Sequence, residues 1–248
     1  MKDWTVFPAI DLRDGHVVRL TQGDPARQTT YDRDPLAAAQ RWQAAGATWA
    51  HVVNLSGAFG ESDSVNGASL QSILTSGLSV QFGGGLRTMQ SIQNALDLGV
   101  RRVVLGTAAV KDPDIVKASV DAFGAERIAV GLDLRAGVPQ THGWTQPTKQ
   151  SAVALAKKWA DRGLCWLILT DVHRDGTGAG VNITVTTELA TATGLSVIAS
   201  GGVASLTDVR NAYRAGLAGI IIGRALYEGQ LDLREALSVS GDQEARLC

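Results

Sequence analysis

Eight times along this chain a short apolar run is followed by a longer amphipathic stretch. The runs lie at 6–10, 51–55, 80–83, 102–105, 128–132, 166–170, 196–199 and 219–222. Most are continuously apolar instead of alternating, as a parallel strand covered on both faces requires. Helix-like stretches follow at 35–45, 67–76, 89–98, 113–123, 151–162, 184–193, 206–215 and 233–239. Asp34 before Pro35, Thr88, Asp112 before Pro113, and Ser205 are helix-start signals. Gly46, Gly77, Gly99, Gly124, Gly163, Gly194 and Gly216 stand where helices should stop. Eight strand–helix units in 248 residues predict an α/β fold whose sheet closes on itself, a (β/α)8 barrel of the TIM class. An open doubly wound sheet is the alternative, since alternation alone fits both. No linker rich in Pro or Ser divides the chain, so 1–248 reads as one barrel domain.

The two halves of the chain echo each other, which favours closure. Asp133 stands 122 residues after Asp11, each directly behind an apolar run. Gly83-Gly84-Gly85 is echoed by Ser200-Gly201-Gly202, with Gly202 placed 118 residues after Gly84. Leu105-Gly106-Thr107-Ala108 is echoed by Ile222-Gly223-Arg224-Ala225 at 117, and Val65-Asn66 by Val181-Asn182 at 116. Four matched features in one order point to two duplicated four-unit halves, and so to two-fold internal symmetry.

Composition narrows the partners. The formal charge is −1, which leaves no electrostatic footprint for nucleic acid or an anionic membrane. No apolar run approaches the roughly 18 residues that span a bilayer. Residues 1–5 lack the pattern of a signal peptide, and Cys165 and Cys248 suggest neither a disulfide framework nor a metal site. A cytoplasmic location is therefore expected, and without an obvious sticky helix face so is a monomer. His16, His51 and His142 lack metal-ligand spacing, so a structural or solvated role is expected of them. The chain has 28 glycines, or about 11% against roughly 7% on average, so many backbone sites need positive φ or close approach.

The chemistry-bearing positions fall at the C-terminal ends of the strands, where barrels of this class place their active sites. Asp11 and Asp133 end the first and fifth strands, which lie opposite each other in an eight-membered ring. An aspartate at a strand end is by itself a common turn former. A matched pair across the mouth can serve as general base and general acid. Gly84 and Gly85, and Gly106 with Thr107, cluster backbone N–H groups on one side, as Gly201, Gly202, Gly223 and Arg224 do on the other. Such loops bind phosphate, so a bisphosphate small molecule spanning the mouth is expected. Thr170 can hydrogen-bond at the mouth, and Asp175-Gly176 is a turn signal whose carboxylate could orient hydroxyls. Asp171 reads as readily as a loop salt bridge. Arg19 and Trp144 lie on the long loops after strands one and five, where a guanidinium could pair with phosphate and an indole could stack on a heterocycle.

These residues form a pattern. Pro8-Ala9-Ile10-Asp11-Leu12 with Gly15 and Val18-Arg19-Leu20 resembles the phosphoribosyl isomerase family of the histidine pathway. So do Gly83-Gly84-Gly85-Leu86-Arg87, Val104-Leu105-Gly106-Thr107-Ala108, Gly131-Leu132-Asp133, Gly143-Trp144, and Thr170-Asp171 with Asp175-Gly176-Thr177. Ala199-Ser200-Gly201-Gly202-Val203 and Ile222-Gly223-Arg224-Ala225 complete the resemblance, which covers residues 6–238. It implies a two-fold symmetric barrel catalysing an Amadori rearrangement of an aminoaldose to an aminoketose, without cofactor or metal. It also implies Asp11 as proton acceptor and Asp133 as proton donor, with Thr170 and Asp175 assisting at the sugar. Arg19 and Trp144 would close over the substrate, and the glycine loops would hold two phosphates. Ala9 and Arg19 favour the isomerase over its sister cyclase, which resembles a sequence with Cys and Lys there. An isomerase that also accepts phosphoribosylanthranilate, and a non-catalytic phosphosugar-binding barrel, are the alternatives. Departures from the family pattern are Asn54 in place of a common Asp, then Ser56, and the loose Gly178-Ala179-Gly180 stretch.

Overall fold

The apolar runs become strands of one hydrogen-bonded sheet in the computed structural model, which describes residues 4–61, 64–141, 144 and 146–240. Residues 1–3 and His142, Gly143 and Cys248 lie outside the described residues. In chain order the strands are β1 (Thr5–Arg13), β2 (His16–Thr21), β3 (Asp24–Asp32), β4 (Trp49–Asn54), β5 (Ser79–Gly83) and β6 (Arg102–Leu105). β7 (Ile128–Arg135), β8 (Val138–Thr141), β9 (Gln146–Pro147), β10 (Trp166–Asp171), β11 (Ser196–Ser200) and β12 (Gly219–Ile222) follow. Parallel pairing runs β1–β4–β5–β6–β7–β10–β11–β12 and returns to β1, closing a (β/α)8 barrel.

The helices form where caps and apolar stripes coincide. Asp34 accepts from the backbone N–H groups of Leu36 and Ala37 at the head of Pro35–Ala44. Thr88 with Ser91, and Ser205 with Asp208, form reciprocal capping boxes on Met89–Asp97 and Leu206–Arg214. Apolar helix faces lock onto outward strand residues: Trp42, Ile73, Ile92, Trp159 and Val209 are buried against Val6, Ile10, Leu105, Leu132 and Ile222. A second, smaller core of Phe7, Ala9, Val104, Ala129, Ile168, Ile198 and Ile221 fills the lumen. Both strand faces are thus removed from water, which is why the runs read as continuously apolar.

The antiparallel strands β2, β3, β8 and β9 were not expected. β1 turns back into β2 with Asp11 opposite Val18, and β7 into β8 with Asp133 opposite Gln140. Asp14-Gly15 and Ala136-Gly137 make these turns with positive φ at both positions (51° and 77°; 50° and 79°), the geometry that twists a two-residue hairpin correctly. The short helices Leu55–Phe59, Thr107–Lys111 and Arg224–Tyr227 were missed too. The second long helix starts at Ser64, ahead of its expected start at 67.

The internal symmetry is built from repeated bonds. Asn66 donates to the Asn54 side chain at 2.7 Å, and Asn182 to that of Asp171 at 2.8 Å. Asn54 therefore does the scaffolding that Asp171 does in the other half. One detail of the sequence matching is corrected: the structural counterpart of Gly84 is Gly201, not Gly202. A Cβ on Gly84 (φ 102°) would lie 2.2 Å from the Asn54 carbonyl oxygen, and one on Gly201 (φ 88°) 2.7 Å from that of Asp171.

Gly84→Ala and Gly201→Ala are each expected to destabilise the fold by about 3 kcal/mol or more, from clash plus backbone strain. Gly77→Ala, at φ 85° with nothing within 4 Å, should cost only about 1 kcal/mol. Denaturant midpoints of the three variants check this ranking, and equal losses would refute the crowding.

Candidate active site

Alternate residues of the barrel strands face the lumen, and those at the C-terminal ends line a cavity of about 210 Å³. β1 contributes Asp11, β7 contributes Asp133, β10 contributes Thr170, and the loop after β10 contributes Asp175. Gly84, Gly85, Gly106 and Thr107 line it on one flank. A second lobe of about 190 Å³ is lined by Gly176, Gly201, Gly202, Gly223 and Arg224, and shares Arg19, Asp175 and Ser200 with the first. Every site residue read from the sequence therefore borders one mouth.

Each flank opens a short helix at a glycine. Gly106 and Gly223 cap Thr107–Lys111 and Arg224–Tyr227 with nearly identical backbone angles (φ −102°, ψ −110°; φ −107°, ψ −103°), and neither has a side-chain cap. A glycine cap brings no side chain of its own to the helix start, an arrangement that leaves room for an anion on each side. The Arg224 guanidinium is anchored to the Glu228 carboxylate at 2.7 Å and to the Gly176 carbonyl.

The two strand-end carboxyls differ in their neighbours. Arg19, on β2, donates to Asp11 Oδ2 at 2.7 Å and lies 3.8 Å from Asp175 Oδ1. Its guanidinium packs on the bare Cα of Gly223, where a Cβ would come within 2.3 Å of it. Burial pushes the Asp11 carboxyl up to about 6, against the pull of Arg19 and with added repulsion from Asp175. Burial also pushes Asp133 up to about 6, opposed by hydrogen bonds from the Trp144 indole and the Thr170 hydroxyl. The Trp144 ring lies against the backbone of Gly23, so the loops after strands one and five meet over the mouth. Asp175 is also raised by burial, with Arg19 pulling the other way. The site thus holds two carboxyls near the midpoint of their titration at mildly acidic pH, one beside a cation and one beside neutral donors. That environment can give and take protons on a ligand held between them.

Other residues gain or lose a role. Asp171 bonds Asn182 and pairs with Arg174 at 3.5 Å, so it is held as scaffold. His16 stays outside, its Nδ1 on the Asp14 carbonyl oxygen at 2.7 Å. His51, first in the expected run 51–55, instead lies inside β4, which begins at Trp49; it sits opposite Ala9, buried in the lumen and lining the cavity. Arg87 and Ser200 also line the mouth and were not singled out as site residues. A two-residue count from Trp49 puts His51 on the lumen face, but the surrounding apolar run hides that phase.

Comparison with known proteins places the chain in a family. A family model described as histidine biosynthesis protein matches residues 5–232. A protein of Dinoroseobacter shibae named 1-(5-phosphoribosyl)-5-((5-phosphoribosylamino)methylideneamino)imidazole-4-carboxamide isomerase is 46% identical over 240 residues, 96% of this chain and 99% of the relative. Proteins of the same name from Jannaschia sp. and Xanthobacter autotrophicus are 45% and 47% identical, each over 94% of this chain and over 98% and 96% of the relative.

A carboxyl whose folded-state value is raised stabilises the fold below its unfolded value and loses that contribution as pH rises through the folded one. For Asp133 the window runs from 3.8 to about 6. Asp133→Asn should therefore stabilise the protein by about 1–3 kcal/mol above that window and by nothing below it. Unfolding curves collected at the two ends of the window check the sign, and destabilisation at the alkaline end would contradict it.

Proposed function

The chain belongs to the histidine biosynthesis protein family, and from that premise we propose that it isomerises 1-(5-phosphoribosyl)-5-((5-phosphoribosylamino)methylideneamino)imidazole-4-carboxamide, an aminoaldose, to its aminoketose. The observation that carries this reading is a pair of shielded carboxyls in one cavity with an anion-accepting loop set on either flank. A substrate with a phosphate at each end fits that spacing of functions. Gly84, Gly85, Gly106 and Thr107 take one phosphate, and Gly201, Gly202, Gly223 and Arg224 the other. Fixing both ends places the linking ribosyl carbons between the aspartates, which lowers the barrier by orientation.

The chemistry is proton transfer and needs no cofactor. Asp133, the carboxyl beside neutral donors, gives its proton to the furanose ring oxygen, and the C1′–O bond breaks to leave a protonated imine. Asp11, held toward its carboxylate form by Arg19, takes the C2′ proton, and the electron pair moves to give an enolamine. The enol O–H proton leaves and C1′ gains one, giving the ketone with no net change in protons. Thr170 orients Asp133, and Asp175 orients Arg19 and the sugar hydroxyls. Trp144 and Arg19 cover the mouth, so the labile open-chain forms are kept from bulk water.

The setting follows from the same reading. No helix among the described residues is long and apolar enough to cross a membrane. Among the described residues the exposed large apolar side chains Val65, Val138 and Val153 stand on separate elements, and Leu98 directly follows the helix Met89–Asp97. We take the enzyme to act as a cytoplasmic monomer on a small molecule.

Asp11→Asn and Asp133→Asn are each expected to lower kcat by about 10²–10⁴-fold while binding of the bisphosphate product is largely kept. Turnover near the parent rate in either variant would reject the acid–base roles. A crystal soaked in inorganic phosphate should hold one anion at each glycine-rich flank, and occupation of a single flank would reject the two-phosphate substrate.

A further inference from the structure

Beneath the cavity floor a column of polar side chains runs down the barrel lumen. At its foot the Arg102 guanidinium lies 5.1 Å from the Trp49 ring centre and 3.7 Å from that of Trp166. Its Nε donates to the Glu126 carbonyl oxygen at 3.0 Å and its NH1 to Gln81 Oε1 at 3.1 Å. Gln81 is fully buried, and its Nε2 is 3.1 Å from His51 Nδ1. His51 lines the floor, where its neighbours include Ala9, Val104, Gly131, Ile168 and Ile221.

The column has a direction. A guanidinium can only donate, so the Gln81 atom facing Arg102 is the carbonyl oxygen. The amide NH₂ then faces His51, and Nδ1 must accept. A neutral imidazole that accepts at Nδ1 carries its proton on Nε2. With Nδ1 committed to Gln81, Nε2–H is the ring donor left for a ligand on the floor. Burial holds the imidazole neutral, far below its ordinary value at about 3, and the charge of Arg19 acts in the same sense.

We infer that His51 is a positioning residue that donates its Nε2–H to a sugar oxygen of the reacting ribosyl unit, and that Gln81 and Arg102 set the direction of that bond without touching the substrate. The contact rests on the proposed aminoaldose substrate; the tautomer does not. With both phosphates held at the flanks and both carboxyls at the strand ends, the part of the substrate over this floor is the linking sugar. Its hydroxyl and ring oxygens are acceptors. A donor fixed beneath them favours the sugar over an apolar linker at the same place.

The test reads the ring and the turnover together. Nitrogen-15 histidine spectra, with the His51 signal assigned by its loss in His51→Gln, should show the parent ring protonated at Nε2 alone. Gln81→Glu keeps the shape but puts an acceptor opposite Nδ1, so the ring should take its proton there and kcat/KM should fall about 10–100-fold. If that variant instead holds a proton on both nitrogens, the Nε2 donor survives and kcat/KM should stay within about threefold of the parent. His51→Phe should lose about 10–100-fold, and His51→Gln, which can place an N–H near the Nε2 position, should recover part of it. A parent ring protonated at Nδ1 alone overturns the inference without any variant. So does full turnover from a ring lacking the Nε2 proton, or from His51→Phe. If the parent protein leaves the aminoaldose unconverted, the function reading and the substrate contact fall together, while the spectra still judge the direction of the column.

Discussion

Two carboxyl groups shielded from bulk water set the terms of this structure. Removing Asp11 and Asp133 from water disfavours their charged forms, and in both cases that burial outweighs the hydrogen bonds and the cation that favour ionisation. Their raised values bring both within reach of proton exchange at moderate pH. The barrel makes this possible because a strand end at its mouth is fixed by pairing on both sides. A side chain there can be held away from solvent and still face a ligand.

The duplication supplies two copies of one local solution, and its imperfections supply the chemistry. The Asn66–Asn54 and Asn182–Asp171 bonds, the paired hairpins and the matched caps at Gly106 and Gly223 make the two flanks alike. A substrate with similar ends needs that likeness. The asymmetry sits on the hairpin extensions that follow β1 and β7, on β2 and just beyond β8. One delivers Arg19 to Asp11 and the other brings Trp144 to Asp133. Equivalent carboxyls thereby acquire unequal surroundings, which is what separates an acid from a base.

Much of this was legible in the chain. Eight apolar runs with capped helices between them located every barrel strand, because parallel strands buried on both faces leave an unbroken hydrophobic signature. Asp11 and Asp133 stood out as charges placed directly behind such runs. The same signature concealed His51 and Gln81, since a run without alternation does not say which side chains face the lumen. Asp14-Gly15 carried a usable turn signal for the β1–β2 hairpin, whereas Ala136-Gly137 lacks the Asn or Asp that marks its counterpart. The pairing of Gly84 with Gly201 depended on which carbonyl each glycine crowds, a three-dimensional fact that spacing in a run of glycines does not fix.

Site-resolved titration of the aspartate side-chain carbons by nuclear magnetic resonance tests the central claim most directly. Asp11 and Asp133 should each titrate at about 6 in the free protein, well above the ordinary 3.8. Ordinary values for both would mean that water reaches these carboxyls freely, and the account of a shielded acid–base pair would fail.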